Sequence, residues 1–250
     1  HVDRLFNSAI VLGIEIPFAK KKIFNTILQV VLENKLEECY IRPIVFLGHN
    51  QMGLNPNGVD VRVAIAAWPW GAYLGDEGIN KGIRVRVSSF TRHHVNISLT
   101  RAKACGYYIN SILAKAEAVR DGYDEAILLD PQGYVSEGSG ENIFLLSKGR
   151  LKTPDLSCSN LEGITRDSVL DICKHLKIKV EEGHMTRDEL YIADEVFLTG
   201  TAAEITPVRE IDGRTIGSGK RGKVTASIQK MFFEIVRGKH TKFKKWLAEV

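Results

Sequence analysis

The sequence predicts an α+β fold in two domains. Hairpin-like strand pairs outnumber regular strand–helix–strand units, which argues against a doubly wound sheet. Amphipathic helical stretches stand between and after the strands. The segment WPWGAYLGDEG (68–78), dense in aromatics, Pro and Gly, breaks the regular pattern as an interdomain linker would. It separates a small α/β domain (1–67) from a larger α+β domain (79–250).

The chain opens HVDRLFNSAIVLG, where Leu5, Ala9 and Leu12 recur at helical spacing and Gly13 is a stop. It has no initiator Met and begins as though an element were already under way, so the natural N-terminus is expected upstream. KKKIFNTILQVVLENK (20–35) puts Ile23, Ile27, Val30 and Val31 on one helical face. CYIRPIVFLG (39–48) and VDVRVAIAAW (59–68) read as strands, the second with period-2 alternation, joined by the Asn/Gly/Pro-rich loop 49–58. Strand IRVRVSSF (83–90) begins the larger domain. A helix is expected from about Lys103 to Arg120, with an apolar stripe at 105, 108, 109, 112, 113 and 116. EAILLD–PQG–YVSEGSG and NIFLLSKGRLKTP (142–154) each read as a hairpin. GITRDSVLDICKHL (163–176) is a helix, TRDEL (186–190) carries a capping box from Thr186 to Glu189, EVFLTGT is a strand, and Lys223–Arg237 is the last helix.

Composition narrows the function. Of 250 residues, 44% are hydrophobic and 26% charged, the balance of a globular protein. Lys plus Arg (34) against Asp plus Glu (30) leave a charge of only +4, evenly spread, so no nucleic-acid partner is expected. The densest basic patch, KHTKFKK (239–245), reads as a solvated terminal face. No apolar run approaches the ~20 residues of a membrane span. The four cysteines (39, 105, 158, 173) form no C-x-x-C pair, which fits reduced thiols in a soluble cytoplasmic protein. Neither that pair nor H-x-x-x-H occurs, so no metal site is expected.

The loudest motif, GSGKRGK (217–223), satisfies G-x-G-x-x-G and nearly a P-loop. The P-loop hydroxyl is replaced by Val224, and too little chain follows for a nucleotide domain, so a turn before the last helix is the better account. Lys103, in LTRAKACGYY, is the more informative cation. At a helix start among Ala102, Ala104, Cys105 and Gly106 it would be disfavoured as an ammonium, as an amine nucleophile requires. The same residues equally spell a surface Lys. Glu137, among small residues in SEGSGEN, could pair with a protonated pyridine nitrogen or simply be a turn acid. GITRD (163–167) offers backbone N–H groups and the Thr165 hydroxyl to a phosphate, or an ordinary Thr cap. TGTAAEITP (199–207) adds a second small-residue turn with Thr201. Amine, ring partner and phosphate cradle together are the inventory of a pyridoxal 5'-phosphate (PLP) site.

In order and spacing, YIRP, WPWGAYLG, AKACGYY, EGSGEN, GITRD and ELYIADEVFLTGTAAEITPV resemble the branched-chain amino acid aminotransferases of the fold-type-IV PLP family, from about residue 2 to 236. The resemblance implies that Lys103 is the Schiff-base lysine, that Tyr108 lies on the cofactor's phenolic oxygen side, and that Glu137 meets the pyridine nitrogen. It makes Ile164, Thr165 and Thr201 phosphate binders. Tyr40 and Arg42, on one face of a strand by period-2 geometry, match the family's pocket wall and carboxylate reader. Trp70, Tyr73, the turn Met52–Gly53–Leu54, and Ala202 and Ala203 match the substrate pocket, part of which the partner subunit supplies in the family. A homodimer, or a higher assembly of dimers, is therefore implied, acting on branched-chain L-amino acids and 2-oxoglutarate. A D-amino acid aminotransferase or aminodeoxychorismate lyase of the same fold, and a truncated PLP-binding module without turnover, are the alternatives. The family's N-terminal segment, with an Arg on the cofactor phosphate and an aromatic pocket residue, would lie upstream of His1, so partial coverage of a longer protein is expected. Glu162 stands where Pro is common in the family and Tyr107 where Asn is common.

Overall fold

A computed structural model describes residues 1–49, 52–71 and 74–250, without the side chain of Asp76. The chain divides into two compact units: residues 1–71 with 101–104 and 248–250, and residues 72–100 with 105–247.

In the first unit, helices α1 (Val2–Val11) and α2 (Lys20–Glu33) accompany an antiparallel pair, β1 (Tyr40–Leu47) and β2 (Val61–Trp68). The α1 helix buries Ser8 and Ala9, and α2 buries Ile23 and Val31 from the predicted stripe. The β1–β2 register sets Tyr40 opposite Trp68 and Arg42 opposite Ala66.

The second unit begins with α3 (Gly75–Lys81), which starts inside the segment expected to be linker, and β3 (Ile83–Val87). Then come α4 (Tyr108–Arg120), β4 (Glu125–Leu129), β5 (Val135–Gly138), β6 (Asn142–Ser147), β7 (Arg150–Thr153), α5 (Ile164–Leu176), β8 (Val180–Glu182), α6 (Arg187–Tyr191), β9 (Glu195–Gly200), β10 (Glu204–Ile211), β11 (Arg214–Thr215) and α7 (Lys223–Val236). The strands form one nine-stranded sheet in the order β5-β4-β3-β10-β9-β6-β7-β8, with β11 on β10. Both predicted hairpins are present, β4–β5 and β6–β7, and the Thr186/Glu189 capping box opens α6. One apolar cluster, including Val85, Ile127, Ile143, Leu145 and Leu198, covers one face of the sheet. On the other, α5 and α7 pack over Phe144, Leu151 and Phe197, the two Phe rings stacked 5.0 Å apart.

Two predicted features come out differently. The helix expected from Lys103 starts at Tyr108, after a 3-10 turn at Cys105–Tyr107. The Lys103 backbone N–H donates to the buried Ser8 hydroxyl (3.0 Å). The predicted stripe is also not the face that packs. The α4 helix buries Ser111, Ala114, Glu117 and Ala118, while Ile109, Ile112 and Leu113 are exposed. Small residues win because the helix lies close to the sheet, with Ala114 and Ala118 against Ala126 and Leu128.

Glu117 fastens α4 to the chain after β3. Burial alone would raise its pKa, but donors from Ser88 Oγ (2.6 Å), Ser89 N–H (3.0 Å) and Ser89 Oγ outweigh that and bring it down to about 2. A folded-state pKa below the unfolded value stabilises the fold above pH ~4.5, and that stability is lost as pH falls from there towards 2. Urea midpoints compared at pH 7 and pH 3 should therefore fall more for the wild type than for Glu117→Gln. Equal falls would remove Glu117 from the acid sensitivity.

Candidate active site

Glu137 is the centre of the second unit's polar cluster, and a bulge puts it there. In the β4–β5 pair Leu129 faces Val135 but Leu128 faces Glu137, so Ser136 is an extra residue. Without it Glu137 would share the side of Val135, which belongs to the apolar interior. Glu137 is 4% exposed, and Arg92 grips its Oε1 through Nε (2.9 Å) and Nη2 (2.6 Å). The Leu161 N–H (3.1 Å) and Asn142 Nδ2 (3.4 Å) both donate to its other oxygen. The Arg92 guanidinium is itself braced by Ser111 Oγ (2.9 Å) and Asn110 Oδ1 (3.2 Å). Arg92, Asn142 and Leu161 were not singled out in the sequence; Arg92 lies in an irregular stretch with no periodicity to mark it.

Asn142 joins this cluster to the start of α5. Its Nδ2 also donates to the Leu161 carbonyl (2.8 Å), and a Cβ on Gly163 would come within 2.0 Å of its Oδ1. Gly163 is the N-cap of α5 and offers no side chain, so the first N–H groups, at Ile164 and the buried Thr165, are left for a ligand. On the same strand face, opposite Asn142, the Thr199 hydroxyl is buried with no partner among the described residues. The β9–β10 turn that follows holds Thr201, exposed, then Ala202 and the buried Ala203, whose carbonyl accepts from Thr206 Oγ1 (2.7 Å). Tyr108, half-buried, is the first residue of α4.

A PLP group fits this donor set. A buried carboxylate held by a guanidinium is ready for a ring nitrogen, and uncapped N–H groups at a helix start suit a phosphate. A Cβ at Gly163 would strike the Asn142 amide oxygen beside them, so this helix start tolerates no side chain. Gly163→Ala should therefore weaken PLP binding roughly tenfold and cost about 1–3 kcal/mol of stability, because both bonds of Asn142 hold its side chain in place. Fluorescence titration of the apo-protein with PLP measures the first effect; an unchanged affinity would remove Gly163 from the cradle.

The other conspicuous glycine-rich motif has no such opening. Gly222 caps α7, and the Glu195 carboxylate already accepts from Val224 N–H (3.1 Å), Thr225 N–H (2.7 Å) and Thr225 Oγ1 (2.6 Å). A phosphate there would meet a carboxylate, so GSGKRGK is a turn, as expected.

In the first unit, Tyr40, Trp68 and Trp70 form an aromatic cluster: Tyr40–Trp68 5.3 Å, Tyr40–Trp70 4.6 Å edge-on, and Trp68–Trp70 5.9 Å between ring centroids. The Arg42 guanidinium lies 5.3 Å from the Tyr40 ring and 5.6 Å from that of Trp68. Trp68, expected as the last residue of the second strand and the first of the linker, ends β2 and was not singled out for the pocket. Met52 and Leu54, flanking Gly53, are fully exposed at the tip of the β1–β2 loop. Tyr73 lies outside the described residues. Lys103 is exposed and precedes the 3-10 turn, so the helix-end argument for it does not hold.

The family model for class IV aminotransferases matches residues 1–211. The chain belongs to that family. It is 54% identical over 246 residues to a branched-chain-amino-acid aminotransferase of Pseudomonas aeruginosa, covering 98% of this chain and 80% of the relative. The crystal structure of the Escherichia coli branched-chain amino acid aminotransferase superposes with a TM-score of 0.97 at 45% identity, covering 100% of this chain and 82% of that one. The T.th. branched-chain amino acid aminotransferase complexed with N-(5'-phosphopyridoxyl)-L-glutamate gives 0.93 at 45%, covering 99% and 81%. The α+β content and the fold-type-IV architecture expected of the class IV chain agree with these neighbours.

Proposed function

We propose that this class IV aminotransferase moves an amino group between branched-chain L-amino acids and 2-oxoglutarate with PLP as cofactor. The carrying observation is the buried Glu137–Arg92 pair beside the uncapped start of α5. The 45–54% identity to branched-chain enzymes supports the substrate class. When bound, PLP supplies an electron-withdrawing ring that stabilises charge at the substrate's Cα.

The chain's own groups then have defined tasks. Lys103 would hold the cofactor covalently, and its amine would carry the proton to and from the substrate Cα. Glu137 keeps a proton on the ring nitrogen, with Arg92 fixing the orientation of its carboxylate. Tyr108 takes the phenolic oxygen side. Ile164, Thr165 and Thr201 bind the phosphate. Tyr40, Trp70, Tyr73, Ala202 and Ala203 line the side-chain pocket, and Arg42 reads the second carboxylate of glutamate. Residues 1–67 form the remainder of the small domain and 79–250 the cofactor-binding domain.

The working unit in this reading is a homodimer or an assembly of dimers. The exposed Ile109, Ile112, Leu113 and Val119 of α4 support it, as does the full exposure of Met52 and Leu54, which would enter a partner's pocket. Four free thiols support a cytoplasmic setting, and no helix among the described residues is long and apolar enough to cross a membrane.

The deciding experiment follows the visible absorbance of the PLP-loaded protein on adding L-leucine. Bleaching of the yellow band to the pyridoxamine form is expected, and 2-oxoglutarate should restore it. A band that persists with L-leucine and bleaches with D-alanine would overturn the L-branched-chain reading.

A further inference from the structure

Outside the proposed catalytic groups, one cluster of side chains among the described residues has the chemistry of a metal site. We propose that Asp155, Cys158 and His184 bind a thiophilic divalent cation, Zn2+ foremost, which clamps the turn that presents Leu161 to Glu137. One ligand atom from each residue lies within 4.8 Å of the other two. Asp155 Oδ1 is 4.0 Å from Cys158 Sγ, and Asp155 Oδ2 is 4.0 Å from His184 Nε2. Tetrahedral zinc holds such donors at about 2.0–2.3 Å, hence roughly 3.3–3.8 Å from one another. The two 4.0 Å contacts use different oxygens of Asp155, so the donors, within 4.8 Å of one another, must close by up to about 1.5 Å, and His184, exposed at the rim, is the donor able to move. Its ring is already oriented by Tyr134, whose ring centre lies 4.4 Å away.

An ordinary Asx turn explains only part of this arrangement. Ser157 donates its N–H (2.7 Å) and its hydroxyl to Asp155 Oδ1, which accounts for one carboxylate oxygen. It does not account for a fully buried thiol and a solvent-side imidazole converging on the same carboxylate. The neighbouring cation, Arg166, is engaged elsewhere by Glu182 (2.6 Å) and the Pro154 carbonyl (3.0 Å). On coordination the Cys158 S–H proton passes to solvent and an S–metal bond replaces it, so thiolate and carboxylate together neutralise the dication. Water completes the fourth position on the exposed side.

The turn runs directly into the polar cluster. The Pro154 carbonyl also accepts from Asn160 Nδ2 (3.2 Å), and the next residue, Leu161, donates its N–H to Glu137. A cation at residues 155 and 158 would stiffen the stretch between those anchors.

Titration of the full-length, PLP-loaded protein with Co2+ tests this without relying on transamination. One equivalent should produce a near-ultraviolet thiolate-to-cobalt charge-transfer band that Zn2+ displaces. Cys158→Ser should abolish the band. His184→Ala, at an exposed position that leaves the core intact, should weaken binding at least tenfold, and joint replacement of Cys39 and Cys105 by Ser should leave the band unchanged. In the wild type, Zn2+ should slow amide hydrogen exchange across 155–161, and in His184→Ala it should not. No band, a band that survives Cys158→Ser, or exchange at 155–161 indifferent to Zn2+ would overturn the proposal.

Discussion

Replacing Lys103 by Ala should lower kcat/KM for L-leucine by at least about a thousandfold while leaving the fold intact. The expected size has two sources. A positioned general base contributes roughly 10²–10⁴ in rate, and loss of the covalent attachment removes the activated form of the cofactor as well. The structure explains why the change should be local. Lys103 is exposed, and its backbone is held by Ser8 through an N–H that any residue except Pro supplies. Far-UV circular dichroism and the thermal midpoint should therefore match the wild type. A companion variant isolates the positioning: Ser8→Ala keeps the amine but frees its backbone anchor, and should cost about tenfold. Turnover of Lys103→Ala at the wild-type rate would end the assignment, and an unaffected Ser8→Ala would show that the anchor does not place the amine.

The anchor also shows where sequence reasoning stops. Ser8 and Lys103 are far apart in the chain, and nothing in HVDRLFNSAIVLG announces that its Ser will hold a distant backbone N–H. The local pattern around Lys103 spells a helix, yet the regular helix starts only at Tyr108, after the 3-10 turn. The α4 stripe was misplaced for a related reason. Periodicity finds apolar residues, but the surface facing the sheet was chosen for small size, at Ala114 and Ala118, and the bulkier stripe faces outward. By contrast, α5, the capping box of α6 and both hairpins depend on local chemistry and were legible. Glu137 was legible as a motif residue but not as a geometry. The bulge at Ser136 that aims it leaves no trace in a run of small residues, and Arg92 leaves none either.

That pairing gives the second large effect. Glu137→Gln should reduce kcat by roughly 10²–10³, because a neutral amide does not hold a proton on the cofactor ring. It should also destabilise the protein by about 3–5 kcal/mol, since Arg92 is then left as an uncompensated charge whose side chain is only 13% exposed. Both losses follow from one atom, and a second substitution separates them. In the double variant Arg92→Met/Glu137→Gln the buried charge is gone, and the urea midpoint should return most of the way to the wild-type value. Activity should not return, because the ring nitrogen still has no carboxylate. Arg92→Met alone is the informative third corner. There Glu137 keeps its bonds from Leu161 and Asn142 but loses its grip on one oxygen. If Arg92 only balances charge, PLP should bind that variant as tightly as the wild type, since the protonated ring nitrogen can take over as counter-ion. If Arg92 also orients the carboxylate, as its two contacts to a single oxygen indicate, PLP affinity should fall roughly tenfold and kcat should fall with it. Recovery of activity in the double variant would instead mean that Glu137 serves the fold and that the ring nitrogen is protonated by another group.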